Sequence, residues 1–173
     1  MEETKSRNRI ILCGIPLTAP VFSHENRAER FFSFPLEVLR LSGTADRIRI
    51  VVRERMLSAL CPDRNGFLEI RGELRSFHNR SGEGARLVIT VFARELLTPP
   101  ESRWENRAEL TGTLCRTPVF RSTPMGREIA DLLLSVERPY GRRDYLPCIV
   151  WGRNARAAAE WDAGSRVYIL GRV

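Results

Sequence analysis

Short stretches in which apolar and polar positions alternate, the signature of half-buried strands, recur along the chain. Ile10-Ile11-Leu12 opens the first, Phe31 to Val38 gives a second, and Ile48-Arg49-Ile50-Val51-Val52 a third. The last two are rich in aromatic and β-branched residues, which suit a pleated surface. Arg53 to Leu60 is the one helical stretch of this half, and Pro62-Asp63-Arg64-Asn65-Gly66 stops it. Phe67 to Leu74 and Arg86 to Ala93 then form two strands around a loop that carries Ser81-Gly82-Glu83-Gly84. The predicted order is β-β-β-α-β-β.

The same pattern returns at a shift of 98 residues. Asn8-Arg9-x-x-Leu12-x-Gly14 reappears as Asn106-Arg107-x-x-Leu110-x-Gly112, and Pro20-Val21-Phe22 as Pro118-Val119-Phe120. Leu36, Val38, Arg40, Gly43, Asp46, Val52, Arg55, Ala59 and Gly66 meet Leu134, Val136, Arg138, Gly141, Asp144, Val150, Arg153, Ala157 and Gly164. Residues 8–66 thus share 16 identities with 106–164 over 59 positions without a gap. Chance at ordinary residue frequencies would give about three or four. The chain is a duplication.

Five short strands with a helix between the third and fourth match the oligonucleotide/oligosaccharide-binding barrel, a small Greek-key barrel. The fold expected is all-β, with one short helix per domain, in two tandem five-stranded barrels. In the second, strands are predicted near Ala108 to Leu114, Ile129 to Val136, Leu146 to Trp151 and Arg166 to Leu170, with a helix over Asn154 to Trp161. The chain stops at Val173, so this barrel lacks its last strand; truncation, an open barrel and completion by another chain all stay open. The domains are placed at 1–97 and 106–173. The linker between them, 98–105, contains Thr98-Pro99-Pro100-Glu101-Ser102, an extended and semi-stiff spacer.

Composition adds charge to this picture. Lys and Arg number 28 against 21 acidic residues, a net charge of +7, and every basic residue but Lys5 is arginine. The first 98 residues carry 16 basic and 12 acidic groups (+4), the remainder 12 and 9 (+3). Arginine grips phosphate with a planar fork and stacks on bases, which fits a polyanionic partner, although codon usage would produce the same bias. Cys13, Cys61, Cys115 and Cys148 form no close pair, so they read as small apolar residues rather than zinc ligands or a redox motif. No apolar run is long enough for a membrane span and the first residues lack a signal-peptide core, so a cytoplasmic protein is expected. Without a phosphate loop, H-E-x-x-H, G-x-S-x-G or a carboxylate cluster, neither catalysis, a cofactor nor a metal is expected.

Asn106-Arg107-Ala108-Glu109-Leu110-Thr111-Gly112, Thr117-Pro118, Ile149-Val150-Trp151-Gly152-Arg153-Asn154-Ala155 and Gly164-Ser165-Arg166-Val167-Tyr168-Ile169-Leu170-Gly171 occur in this order. Together they resemble the bacterial single-stranded DNA-binding protein family. The first copy, with Arg53-Glu54-Arg55 in place of Trp151-Gly152-Arg153, looks like a diverged member. The resemblance implies non-sequence-specific binding of single-stranded DNA in replication, recombination or repair. It also implies four barrels per assembly, hence a homodimer of this chain. A replication-restart accessory protein acting mainly through protein contacts and an RNA-binding protein are the alternatives. The acidic, protein-recruiting C-terminal tail common in the family does not follow Gly171-Arg172-Val173 in this chain.

Binding of this kind combines a positive groove with aromatic faces for the bases. In the second copy, Tyr140, Tyr145 and Trp151 fall where the resemblance places stacking residues, with Arg138, Arg142, Arg143, Arg153 and Arg156 around them. Tyr145 and Trp151 are six positions apart and so share one strand face, opposite Cys148 and Val150. If that face is exterior they form a platform; if interior, they are core. Trp161 is expected to pack the helix on the barrel. In the first copy the three aromatic positions hold Ser42, Arg47 and Arg53. There Arg47, Arg49, Arg53 and Arg55 give a one-sided stripe, and Phe77 and His78 begin a loop that offers a further base contact.

Overall fold

The computed structural model describes residues 6–173, and residue contacts divide these into two units. One holds Asn8–Glu109 with Leu170–Val173; the other holds Leu110–Ile169 with the segment just before Asn8.

In the first unit, β1 (Asn8–Pro16), β3 (Glu29–Leu39), β4 (Ala45–Arg53), β5 (Leu68–His78) and β6 (Leu87–Leu97) close a ring. β1 pairs with β3 and β5, β5 with β6 and β3 with β4, all antiparallel, and a parallel pairing of β4 with β6 shuts the barrel. Phe34, Leu36, Ile50, Ile70 and Val91 fill it, all essentially inaccessible to water. The strand β2 (Val21–Asn26) pairs with β3 as an outer arm. It was not expected, because its residues are almost all exposed and carry no apolar alternation. His24 sits on this strand. The expected helix at Arg53 to Leu60 is a 3-10 turn over Glu54–Ala59 with no buried residue.

The plan repeats along the second copy with β7 (Glu105–Leu114), the outer arm β8 (Val119–Ser122), β9 (Glu128–Glu137), β10 (Arg143–Trp151), α1 (Gly152–Ala158) and β11 (Arg166–Gly171), of which all but Glu105–Glu109 and Leu170–Gly171 fall in the second unit. β9 pairs with β7, β8 and β10, and β11 pairs with β7. No strand among the described residues joins β10 to β11, the place β6 fills in the first unit. The helix begins two residues before Asn154 and buries Ala155 and Ala158, while Trp161 is half-buried just beyond it.

The repeated polar residues do repeated structural work. Asn8 donates from Nδ2 to the Leu74 carbonyl at 2.9 Å and accepts the Leu74 N–H at 2.8 Å; Asn106 does the same with Val173, at 3.1 and 2.9 Å. Each amide group thus stands in for a backbone unit at the end of a strand. Arg40 clamps Asp46 with two bonds of 2.7 Å, and Arg138 clamps Asp144 at 2.6 and 2.5 Å. Both clamps brace the turn before the third barrel strand. Gly14 and Gly112 are repeated because a Cβ would lie 2.2 Å from the Glu37 carbonyl oxygen in one copy and 2.5 Å from that of Ser135 in the other. Gly66 and Gly164, at φ +88 and +86, take the left-handed turn that leads into the fourth barrel strand.

Candidate nucleic-acid interface

Strand register sorts the second unit into two faces. Along β10, Asp144 and Leu146 are buried, whereas Tyr145, Pro147, Ile149 and Trp151 are exposed. Their partners on β9 are Ser135, Leu133, Asp131 and Ile129. The arm β8 extends two of these rows, with Val119 opposite Asp131 and Arg121 opposite Ile129. The outcome is one outward surface across three strands on which Val119, Tyr145, Ile149 and Trp151 are each 40–55% exposed. Tyr145 and Trp151 stand about 20 Å apart along the strand. Such an apolar expanse on a basic unit has the character of a binding surface rather than of ordinary exterior.

The arginines divide into two groups. Arg138 is committed to the fully buried Asp144, so it supports the turn, and Arg143 pairs with Glu137 at 3.0 Å. Arg142 and Arg153 are exposed and make no ion pair among the described residues, so they are open to phosphate. Arg156 is engaged by Glu128, and Arg121 holds Asp131 at 2.7 Å in the middle of the face. Tyr140 is fully exposed at the tip of the turn between β9 and β10, in the left-handed region at φ +75. The turn is closed by the Arg138 N–H on the Arg142 carbonyl at 2.7 Å. Cys148 lies on the inward side of β10, and burial pushes its thiol up to about 11.

In the first unit Arg47 and Arg49 are exposed on β4, opposite Glu37 and Pro35 of β3, and Arg53 ends the strand opposite Phe31. Arg49 reaches the hydroxyls of Ser23 and Ser33 at 3.5 Å, Arg53 pairs with Glu29 at 2.9 Å, and Arg55 is exposed in the 3-10 turn. Phe77 and His78 are exposed at the end of β5 rather than in the loop that follows.

The sequence missed the aromatic residues that face these arginines. The His24 ring lies flat on Phe31, 4.7 Å between centroids and 7° between planes. Phe92 of β6 stands 6.1 Å from Phe31 and carries the guanidinium groups of Arg53, Arg75 and Arg94 within 5.0–5.6 Å of its centroid. These rings come from three strands, and only the barrel register brings them together. By strand register, the row Arg121, Ile129, Trp151 of the second unit corresponds in place to His24, Phe31, Arg53 of the first, although the shift of 98 leads from Arg121 to Ser23, because β2 has a bulge between Phe22 and His24. Cation and aromatic have changed ends of the row.

The sequence model of the "Single-strand binding protein family" matches residues 105–173. Over these residues, about two fifths of the chain, the sequence is similar to the bacterial single-stranded DNA-binding protein family. A single-stranded DNA-binding protein of Halalkalibacterium halodurans is 35% identical over 75 residues, 39% of this chain and 45% of that protein. One of Thermus thermophilus is 27% identical over 147 residues, 73% of this chain and 56% of that protein. The chain spans about half the length of these curated relatives. The crystal structure of the wild-type single-stranded DNA binding protein from Thermus aquaticus superposes with a TM-score of 0.79 at 21% identity, covering 98% of this chain and 85% of that one. The two-barrel fold extends over nearly all of this chain in that comparison, and the family match covers its second barrel.

Proposed function

We propose that the chain binds single-stranded DNA without sequence preference, in the service of replication, recombination or repair. The carrying observation is the outward surface of β8, β9 and β10, on which Trp151 and Tyr145 stand exposed at either end of one strand face. Bases stack on these rings and on Tyr140, and Arg142 and Arg153 neutralise phosphates and release counterions. Side chains that contact rings and backbone, rather than base edges, read no sequence. We read residues 1–97 and 106–173 as two binding modules joined by 98–105, and two such chains as the solution assembly, which light scattering measures directly.

The test is a titration of the full chain with poly-dT, followed by tryptophan fluorescence, in rising NaCl. Quenching that weakens with salt is expected, and Trp151→Ala should lose about 1–3 kcal/mol of affinity. Duplex DNA and poly-U run in parallel report the preference for single-stranded DNA. Unchanged fluorescence together with equal affinity of the wild type and Trp151→Ala refutes the stacking surface.

A further inference from the structure

We propose that the first unit carries its own base-stacking site, in which the exposed face of His24 receives a base of single-stranded nucleic acid and Arg49 receives the neighbouring phosphate. The proposal rests on the single-stranded DNA reading for its ligand class, and its residues lie outside the family match at 105–173.

His24 is the open end of a column of rings. One face of the imidazole is covered by Phe31, which is only 8% exposed, and Nδ1 lies 3.0 Å from the Ser23 hydroxyl, so the ring is held flat and oriented. His24 itself is exposed, so its other face is available to a further ring. A flat, oriented ring offers a stacking surface at little entropic cost on binding.

The other end of the column concentrates positive charge. Three guanidinium groups, of Arg53, Arg75 and Arg94, gather on the Phe92 ring, where Glu29 pairs with Arg53 and Glu73 is shared between Arg75 and Arg94. Two rows along the same face of β4, Arg49 adds a cation whose side chain reaches hydroxyls, those of Ser23 and Ser33, and makes no ion pair among the described residues. Ser23 is the same residue that orients His24, so the cation and the open imidazole face share one neighbourhood. An acidic peptide would satisfy the charge and leave the imidazole face unused. A single strand uses both, with rings for the bases and guanidinium groups for the phosphates.

The experiment uses the full chain and two readouts. The chain has only two histidines, so its imidazole Hε1 signals are two, and the His24→Ala variant assigns them. Adding a dT oligonucleotide should move the His24 signal upfield through the ring current of a stacked base. Fluorescence anisotropy with labelled dT should show a Kd raised about tenfold in His24→Ala and close to wild type in His24→Phe, which keeps the stack. The melting temperature of His24→Ala should stay near wild type, since the ring is exposed. Wild-type protein that binds dT with an unmoved His24 signal and an unchanged Kd in His24→Ala overturns this site alone. Wild-type protein that does not bind dT overturns both this site and the single-stranded DNA reading.

Discussion

The paired clamps Arg40–Asp46 and Arg138–Asp144 place one interaction in two environments within a single chain, and Arg138→Ala tests what burial does to it. The Asp144 side chain is 0% exposed and that of Arg138 22%, against 18% for Asp46 and 37% for Arg40. Truncating one partner of a buried pair leaves a carboxylate in a place water reaches poorly, at a cost of about 3–5 kcal/mol. Arg138 keeps some solvent contact, so the lower end, about 3 kcal/mol, applies. With a urea slope of about 2 kcal/mol per molar, the unfolding midpoint of the second unit should fall by about 1.5 M. Arg40→Ala should move its own unit by a small fraction of that, because water replaces the lost partner. Urea unfolding followed by circular dichroism measures both. Equal shifts for the two variants would refute the burial argument. The same pair of variants bears on binding: the guanidinium fork of Arg138 is occupied by Asp144, so below the unfolding transition its loss should leave the salt dependence of DNA binding unchanged.

Gly14→Ala would press a Cβ to 2.2 Å from the Glu37 carbonyl oxygen, and a loss of about 1–3 kcal/mol is expected in thermal unfolding. Of the four thiols, the exposed Cys61 and Cys115 should react rapidly with a disulfide reagent at pH 8. Cys13 and Cys148 should lag, since burial raises both and holds Cys148 near 11. Among the described residues, three carboxyls lie below their ordinary range: Asp46, held by Arg40; Asp63, held by the Ser102 hydroxyl and two backbone N–H groups; and Glu69, whose burial opposes ionisation but is outweighed by Arg103 and Arg71 together. A depressed carboxylate contributes stability that is complete above its ordinary value, 3.8 for Asp and 4.5 for Glu, and is lost as pH falls through the lower folded value. The urea midpoint should therefore hold between pH 7 and 5 and drop below pH 4.

The duplicated plan was legible because the chain states it twice, and the residues that recur without being apolar turned out to be latches, clamps and points of close approach. Parity along 145–151 was enough to put Tyr145 and Trp151 on one face, since a strand has a period of two. The arms β2 and β8 were not legible: nearly every residue in them faces water, so no alternation marks them. The column of His24, Phe31 and Phe92 was hidden for another reason. Its members are 7 and 61 positions apart in sequence, and their contact depends on a parallel pairing of β4 with β6 that no local pattern announces. Position by position against the second copy, the first offers arginine where an aromatic is sought, although the aromatic stands on the neighbouring strand.

That exchange along the row His24, Phe31, Arg53 makes the two barrels mutually untranslatable at single residues. Grafting Trp151 onto the first barrel as Arg53→Trp would set an indole against Phe31 and Phe92, strip one cation from the cluster and leave Glu29 without its partner. The reciprocal Trp151→Arg would place a guanidinium beside Arg121 with no ring in its row to stack on. Only substitution of a whole row preserves the surface. The unit that a designer of chimaeras or of tuned-affinity variants can move between these barrels is thus a three-strand rung and not a residue.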